Sequence, residues 1–513
     1  MLGEKLLKQS ETTNDYSKKW LAFLGIAMLS FGCFLDYTVV NVALPTIQQE
    51  LQTNLSSLQW IMNIYFLALC VLATIMGRLG DLFGRRLCLY AGAGIFAVAS
   101  VIAGLSSNIH GLILGRLFQG VGAAIVFPLG PSLIPQSFPE KERARAIAWL
   151  GSIGGIALAL GPVLGGIIVT YWGWRWIFFI NVPVVLLGYL FCFKSIRESI
   201  TEKENIKLDW IGMLLLGLAM GGIVLSLIHS QTFGWDNFIT LTYLATGIIA
   251  SLVLIKVENK QKNPLIDFSD FSNLIFYAGA ILCFLAGVLS AVTLFFDPLY
   301  LQIIRNQSPQ FSGLILFAIP LAVFAIAFIV EWLISRLGII NTVLIGLLVA
   351  ILSALLHAFF SSITPLWYVI TAFICLGSMW AMGNTVPIIA AQTAVVPHRT
   401  SVATGTMVTM FNIGGSIGLA IAVVVYQFVT SKSLQQIFET RQGQAIVNQL
   451  PYLEKLISNP ARSVQVSMNA STHKFFNEIF IQGFSGVMWF LLASSTLAFL
   501  SIFIWKMIGR EIE

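Results

Sequence analysis

FGCFLDYTVVNVALP, residues 31–45, sets a carboxylate inside an apolar run. Leu21 to Leu35 carry no charged side chain, Asp36 follows, and Tyr37 to Leu44 continue mostly apolar up to Pro45. At ~1.5 Å per helical residue, 21–44 is long enough to cross the ~30 Å hydrocarbon core of a bilayer. Asp36 is then expected a little past the midplane. An acid at that depth is expensive, and it turns toward the bundle interior or a water-filled path, where it exchanges protons or meets a cation. A purely structural pair with an Arg on a neighbouring helix is the plainer use of the same residue.

The rest of the chain fits that reading. Of 513 residues 57% are hydrophobic and 10% charged, against roughly 25% charged in soluble domains. This excludes a string of globular domains. Apolar runs of spanning length lie near 20–44, 57–77, 86–105, 111–133, 146–170, 176–193, 209–229 and 239–256, then 274–296, 311–331, 339–360, 365–387, 402–429 and 484–506. In lipid only a helical bundle satisfies the backbone of fourteen such runs. The net charge of +6 comes from basic residues clustered in short loops, so it does not point to nucleic acid. The six cysteines sit in or beside apolar runs without ligand spacing and read as small buried hydrophobes. The first run is too long for a cleavable signal and contains Asp36, so none is expected.

Loop charge predicts the orientation. With the N-terminus inside, the inner segments hold 21 Lys and Arg, while the short outer loops hold only Arg175 and Arg305. Both termini are therefore expected in the cytoplasm. The chain also repeats itself: Ile-Gly-Gly at 153–155 returns at 413–415, and RLGDLFG (78–84) has a worn echo in WLISRLG (332–338). The expected layout is a tail (1–19), a six-helix bundle (20–200), two inserted helices (201–262) and a second six-helix bundle (263–513) with a long outer loop at 430–483. Duplicated bundles of this sort place substrate near the midplane, between the halves.

Three motifs carry mechanism. GRLGDLFGRR (77–86) links segments 2 and 3, with Gly77 and Gly84 allowing a sharp turn, Asp81 expected near the start of helix 3, and Arg85 and Arg86 anchoring the inner interface. RLFQG places Arg116 inside segment 4 with Gln119 one turn on, and Asp36 is the nearest acidic candidate by depth. GSIGGIALALGPVLGG (151–166) lines up Gly154, Ala157, Gly161 and Gly165 for close helix contact, while Pro162 removes a hydrogen bond to the Leu158 carbonyl.

Together with WRWIFFINVP (174–183), LDW (208–210), LYLQ (299–302) and Gly414-Gly415, these motifs resemble the major facilitator superfamily, and within it the fourteen-helix drug:proton antiporters. The resemblance covers nearly the whole chain. It implies a bacterial inner-membrane exporter of amphipathic drugs or toxic small molecules, driven by the proton gradient without a cofactor, with Gly161, Pro162, Gly165 and Gly166 forming the antiporter motif. Leu82 departs from the pattern, standing where a basic residue is usual, as does Asp297, standing where an apolar one is.

Asp36 and Arg116 are the proton-coupling candidates. Tyr37, Asn41, Asn63, Gln119, Trp380, Asn384, Asn412 and Asp297 are the cavity candidates. Asp297, offset from Asp36 by nearly the repeat length, is expected near the outer face, as a second cavity carboxylate or as an interfacial residue ending a helix. The expected partners are lipid, substrate and protons, with a periplasmic adaptor and an outer-membrane channel as candidates. The alternative within transport is export of an endogenous siderophore or lipid. An enzyme is not expected, because the histidines at 110, 229, 357, 398 and 473 form no cluster at a shared depth.

Overall fold

The computed structural model describes residues 18–196, 209–261, 264, 266–395, 400–438 and 470–510. Among these, fourteen helices are long and apolar enough to cross a membrane. The N-terminal six are α1 (Lys19–Glu50), α2 (Leu55–Phe83), α3 (Arg85–Leu105), α4 (Ile109–Ser137), α5 (Glu140–Trp172) and α6 (Trp176–Ser195). Next come α7 (Trp210–Phe233) and α8 (Phe238–Glu258). The last six are α9 (Leu274–Leu299), α10 in two pieces (Pro309–Leu316 and Ala318–Leu337), α11 (Ile339–Ala358), α12 (Leu366–Ala394), α13 (Thr400–Phe438) and α14 (Ala470–Arg510).

The two sets of six pack alike. In the first, α1 lies against α4, α5 and α6, α4 against α2 and α3, and α3 against α6. In the second, α9 takes the place of α1, and every one of those pairings recurs eight helices later. Small residues make the closest approaches. A Cβ at Gly154 would strike Phe34, one at Gly161 would strike Thr38, and one at Gly165 would strike Val39, so this face of α5 lies directly on α1. Gly414, 260 residues after Gly154, meets the Phe284 backbone on α9 in the same way. Helices α7 and α8 pair with each other, and α7 leans on α2 and α13. Within the most apolar window of each helix, 22% of α8 is buried against 89% of α9, so α8 is peripheral and α9 central.

Pro162 lies inside α5, and the Leu158 carbonyl that it leaves without its helical partner accepts the Thr38 hydroxyl of α1 at 3.2 Å. The bend therefore doubles as a helix–helix contact. The turn between α2 and α3 is one residue long, Gly84 at φ 102°, a conformation that a side chain resists. Asp81 belongs to the last turn of α2 and not to the start of helix 3, because α2 runs on to Phe83. Its side chain lies outside the described residues.

The connection between α13 and α14 is shorter than the expected 430–483. Helix α13 continues to Phe438 and α14 begins at Ala470; residues 439–469, where an adaptor-docking surface would fall, are outside the described residues. The added turns are packed, with Leu434, Phe476, Ile479 and Phe480 all buried. Deleting 439–469 and closing with a short flexible link should leave membrane insertion and vesicle transport near wild type, since closure entropy changes slowly with loop length. A deletion of 434–480 should cost both, because it removes that buried apolar surface. Equal behaviour of the two deletions would contradict this packing.

Candidate functional site

A cavity of about 620 Å³ lies between the two halves. Phe34 and Tyr37 of α1, Phe127 of α4, Trp380 of α12 and Phe411 of α13 give it aromatic walls. Asn384 and Asn412 supply amides that each donate to the carbonyl one turn back, at 2.8 and 2.9 Å, which leaves their oxygens as acceptors. Arg85 also lines it and donates to the Ser132 carbonyl at 3.0 Å. Arg86 instead packs over Tyr90 and Phe193. Aromatic faces with a few amides suit an amphipathic, largely planar guest.

The cavity occupies the end of the bundle that carries the Gly84 turn. The far end is shut by contacts between the halves. Gln302 Nε2 of the turn that extends α9 donates to the Val42 carbonyl at 2.8 Å, and Gln427 of α13 donates to Ser56 of α2 at 3.2 Å. Gly166 of α5 abuts the backbone of Pro309 and Gln310, and Gly313 abuts the Pro162 carbonyl. Only glycine permits backbones this close, so the Gly-Gly of the α5 motif serves the closure as well as the packing on α1.

Behind α1, away from the cavity, the N-terminal half encloses a polar network. Asp36 and Arg116 form an ion pair with both side chains fully buried. The other Asp36 oxygen accepts from Gln119 at 3.0 Å and from Asn181 at 2.8 Å. Arg116 Nε donates to the Ile61 carbonyl at 3.1 Å, its guanidinium lies 4.3 Å from the Tyr65 ring centre, and Gln119 donates to Ser100 at 2.8 Å. One carboxylate thus ties α1 to α4 and α6 directly, and to α2 and α3 through its partners. Asn181 belongs to WRWIFFINVP, whose Trp174 and Arg175 hold Glu50 at the far end of α1, at 2.8 and 2.7 Å. That motif grips α1 at two heights, a role its sequence alone does not reveal.

Of the cavity candidates, Tyr37, Trp380, Asn384 and Asn412 line the cavity and four do not. Gln119 is consumed by the network, because helices 1 and 4 meet inside the N-terminal half and not across the central space. Asn41 and Asn63 lie toward the shut end: Asn41 donates to the Tyr37 and Thr38 carbonyls at 3.3 and 3.1 Å, while both polar atoms of Asn63 are buried without a partner among the described residues. Asp297 is neither interfacial nor in the cavity. Helix α9 carries on through Pro298 into a wide turn at Tyr300–Ile304, and Asp297 is fully buried beside His357. That contact also sets one of the five histidines beside an acid, where the sequence predicts no histidine cluster at a shared depth.

The Major Facilitator Superfamily profile matches residues 26–419. The chain belongs to this superfamily. It is 31% identical to the multidrug resistance protein Stp of Mycobacterium tuberculosis, over 96% of this chain and 93% of that protein. It is also 31% identical to the tetracenomycin C resistance and export protein of Streptomyces glaucescens, over 80% of this chain and 76% of that one. Among solved structures, a bacterial homolog of the human lysosomal transporter Spinster, inward-facing and unoccupied, is similar with a TM-score of 0.66 at 15% identity. It covers 94% of this chain and 97% of its own, and at that identity the likeness concerns the fold. Fourteen apolar helices and this membership make the chain a multi-pass membrane protein.

Proposed function

We propose that this protein exports amphipathic drugs or toxic small molecules across the cytoplasmic membrane in exchange for protons, with both termini in the cytoplasm. The reading rests on one juxtaposition. Tyr37 lines the cavity, and the adjacent residue Asp36 anchors a buried ion-paired network behind it. Substrate and proton sites then share one helix. In this orientation the end with the Gly84 turn is cytoplasmic, so the cavity is loaded from inside.

A proton reaching Asp36 neutralises it and weakens its hold on Arg116, Gln119 and Asn181, since charged hydrogen bonds are about twice as strong as neutral ones. The N-terminal half then loosens around α1 and can rock. Ligand and proton act on the same two-state equilibrium, which is what coupling requires. The names of the relatives favour foreign compounds over a single endogenous metabolite.

Growth on a panel of structurally unrelated toxic compounds, with and without the gene, tests this. Resistance to several compounds is expected, together with export from cells that stops when a protonophore collapses the gradient. Unchanged growth on the whole panel, with one cell product accumulating inside when the gene is lost, would favour the siderophore or lipid exporter instead.

A further inference from the structure

Asp297 on α9 and His357 on α11 are both buried, with His357 Nε2 3.7 Å from Asp297 Oδ2. His357 Nδ1 lies 2.7 Å from the Ser353 carbonyl one turn back. A carbonyl can only accept, so Nδ1 carries a hydrogen, and Nε2 is the nitrogen that gains or loses a proton. Nε2 is the one that faces Asp297. Among the described residues, neither Asp297 oxygen nor Nε2 has a hydrogen-bond partner. The rings of Phe360 and Phe373, at 4.8 and 5.6 Å between centres, wall the imidazole in.

Apart from Tyr426, whose buried hydroxyl has no hydrogen-bond partner among the described residues, the ionisable groups on the surrounding elements are committed elsewhere or lie at the periphery. Tyr300 donates to the Ser361 carbonyl at 2.7 Å, and Arg305 donates to the carbonyls of Ser362 and Thr364 at 2.9 and 2.7 Å. Tyr426 of α13 meets α9 through the Phe296 ring, and Tyr368 of α12 packs on Phe360. On α14, Lys474 and Glu478 lie near each other at the surface, and on α1 Asp36 is bound to Arg116.

The pair therefore balances its charge by itself. With no proton, a carboxylate faces a lone pair; with two, an uncompensated cation is buried. One proton leaves the pair neutral overall, as acid and imidazole or as carboxylate and imidazolium, and uncompensated buried charge is what the interior penalises. Five residues beyond Asp297, Gln302 makes the bond to Val42 that closes the far end. We propose that Asp297 and His357 form a second proton-binding site, in the C-terminal half. It takes one proton from solvent when the far end opens and holds it while that end is shut. As a part of transport this rests on the proton-driven reading above; as a proton site it stands independently of it.

Two measurements on the full-length protein test it. The first is pH-difference infrared spectroscopy of solubilised protein. It should show a one-proton step with carboxyl or imidazole signals that is missing from both Asp297→Asn and His357→Gln and kept in Asp36→Asn. The second is transport in vesicles. There Asp297→Asn and His357→Gln should each export with about one proton fewer per substrate and a shifted pH profile, a change that loss of packing alone would not produce. Identical spectra in wild type and all three variants would overturn the site. A step that is present in wild type, alongside export that ignores the gradient, would sink the proton-driven reading and leave the site in place. If the step is present while both variants keep the wild-type proton ratio, the site's role in transport is refuted.

Discussion

Asp36→Asn is expected to abolish gradient-driven export while the protein still reaches the membrane and still binds substrate at Tyr37 and Trp380. The substitution keeps the size of the side chain and removes its titrating proton. It also leaves Arg116 fully buried without its counter-charge, and breaking a buried pair from one side costs about 3–5 kcal/mol. Lost stability could thus be mistaken for lost coupling. The double variant Asp36→Asn/Arg116→Gln separates the two, because replacing both charged partners is far cheaper than orphaning one. Its melting temperature in detergent should recover most of what the single variant loses, and its export against a gradient should stay at background. Asp36→Glu should keep part of the transport. If the double variant exports substrate uphill on a proton gradient, Asp36 is only a structural anchor.

Gly313→Leu is expected to hold the far end open. A Cβ at Gly313 meets the Pro162 carbonyl of α5, and Gly166 meets α10 from the other side, so the two backbones have no room to yield. Overpacking of this kind costs about 1–3 kcal/mol, which shifts a two-state equilibrium roughly 5- to 150-fold toward the state that avoids the contact. The readout is a reporter cysteine at Asn41, buried in the shut state, in a background without the native cysteines. Labelling by a membrane-impermeant thiol reagent from outside should rise in the Gly313→Leu protein, while export falls. Gly313→Ala should show a smaller change in the same direction. Unchanged labelling together with normal export would mean that the α5–α10 contact takes no part in closing the far end.

Helix number, the repeat and the Asp36–Arg116 partnership are all legible in the chain, for a common reason. Each depends on depth, and depth follows from position along an apolar run. A lone acid and a lone base at similar heights in lipid have strong cause to meet. The same reasoning fails for facing. Helices such as α4, α7 and α13 have no one-sided polar stripe, so periodicity does not say which side meets protein, lipid or cavity. Sequence position therefore points Gln119 to the cavity although it belongs to the network, and the motif that contains Asn181 does not disclose its role. The fate of Asp297 required the fold, because depth alone could not reveal that α11 brings His357 against it 60 residues later. Membership in a bundle and height within it were written in the sequence. Which faces meet, and which end is shut, were decided only by how glycine-lined helices pack against each other, since a bilayer solvates every apolar face equally well.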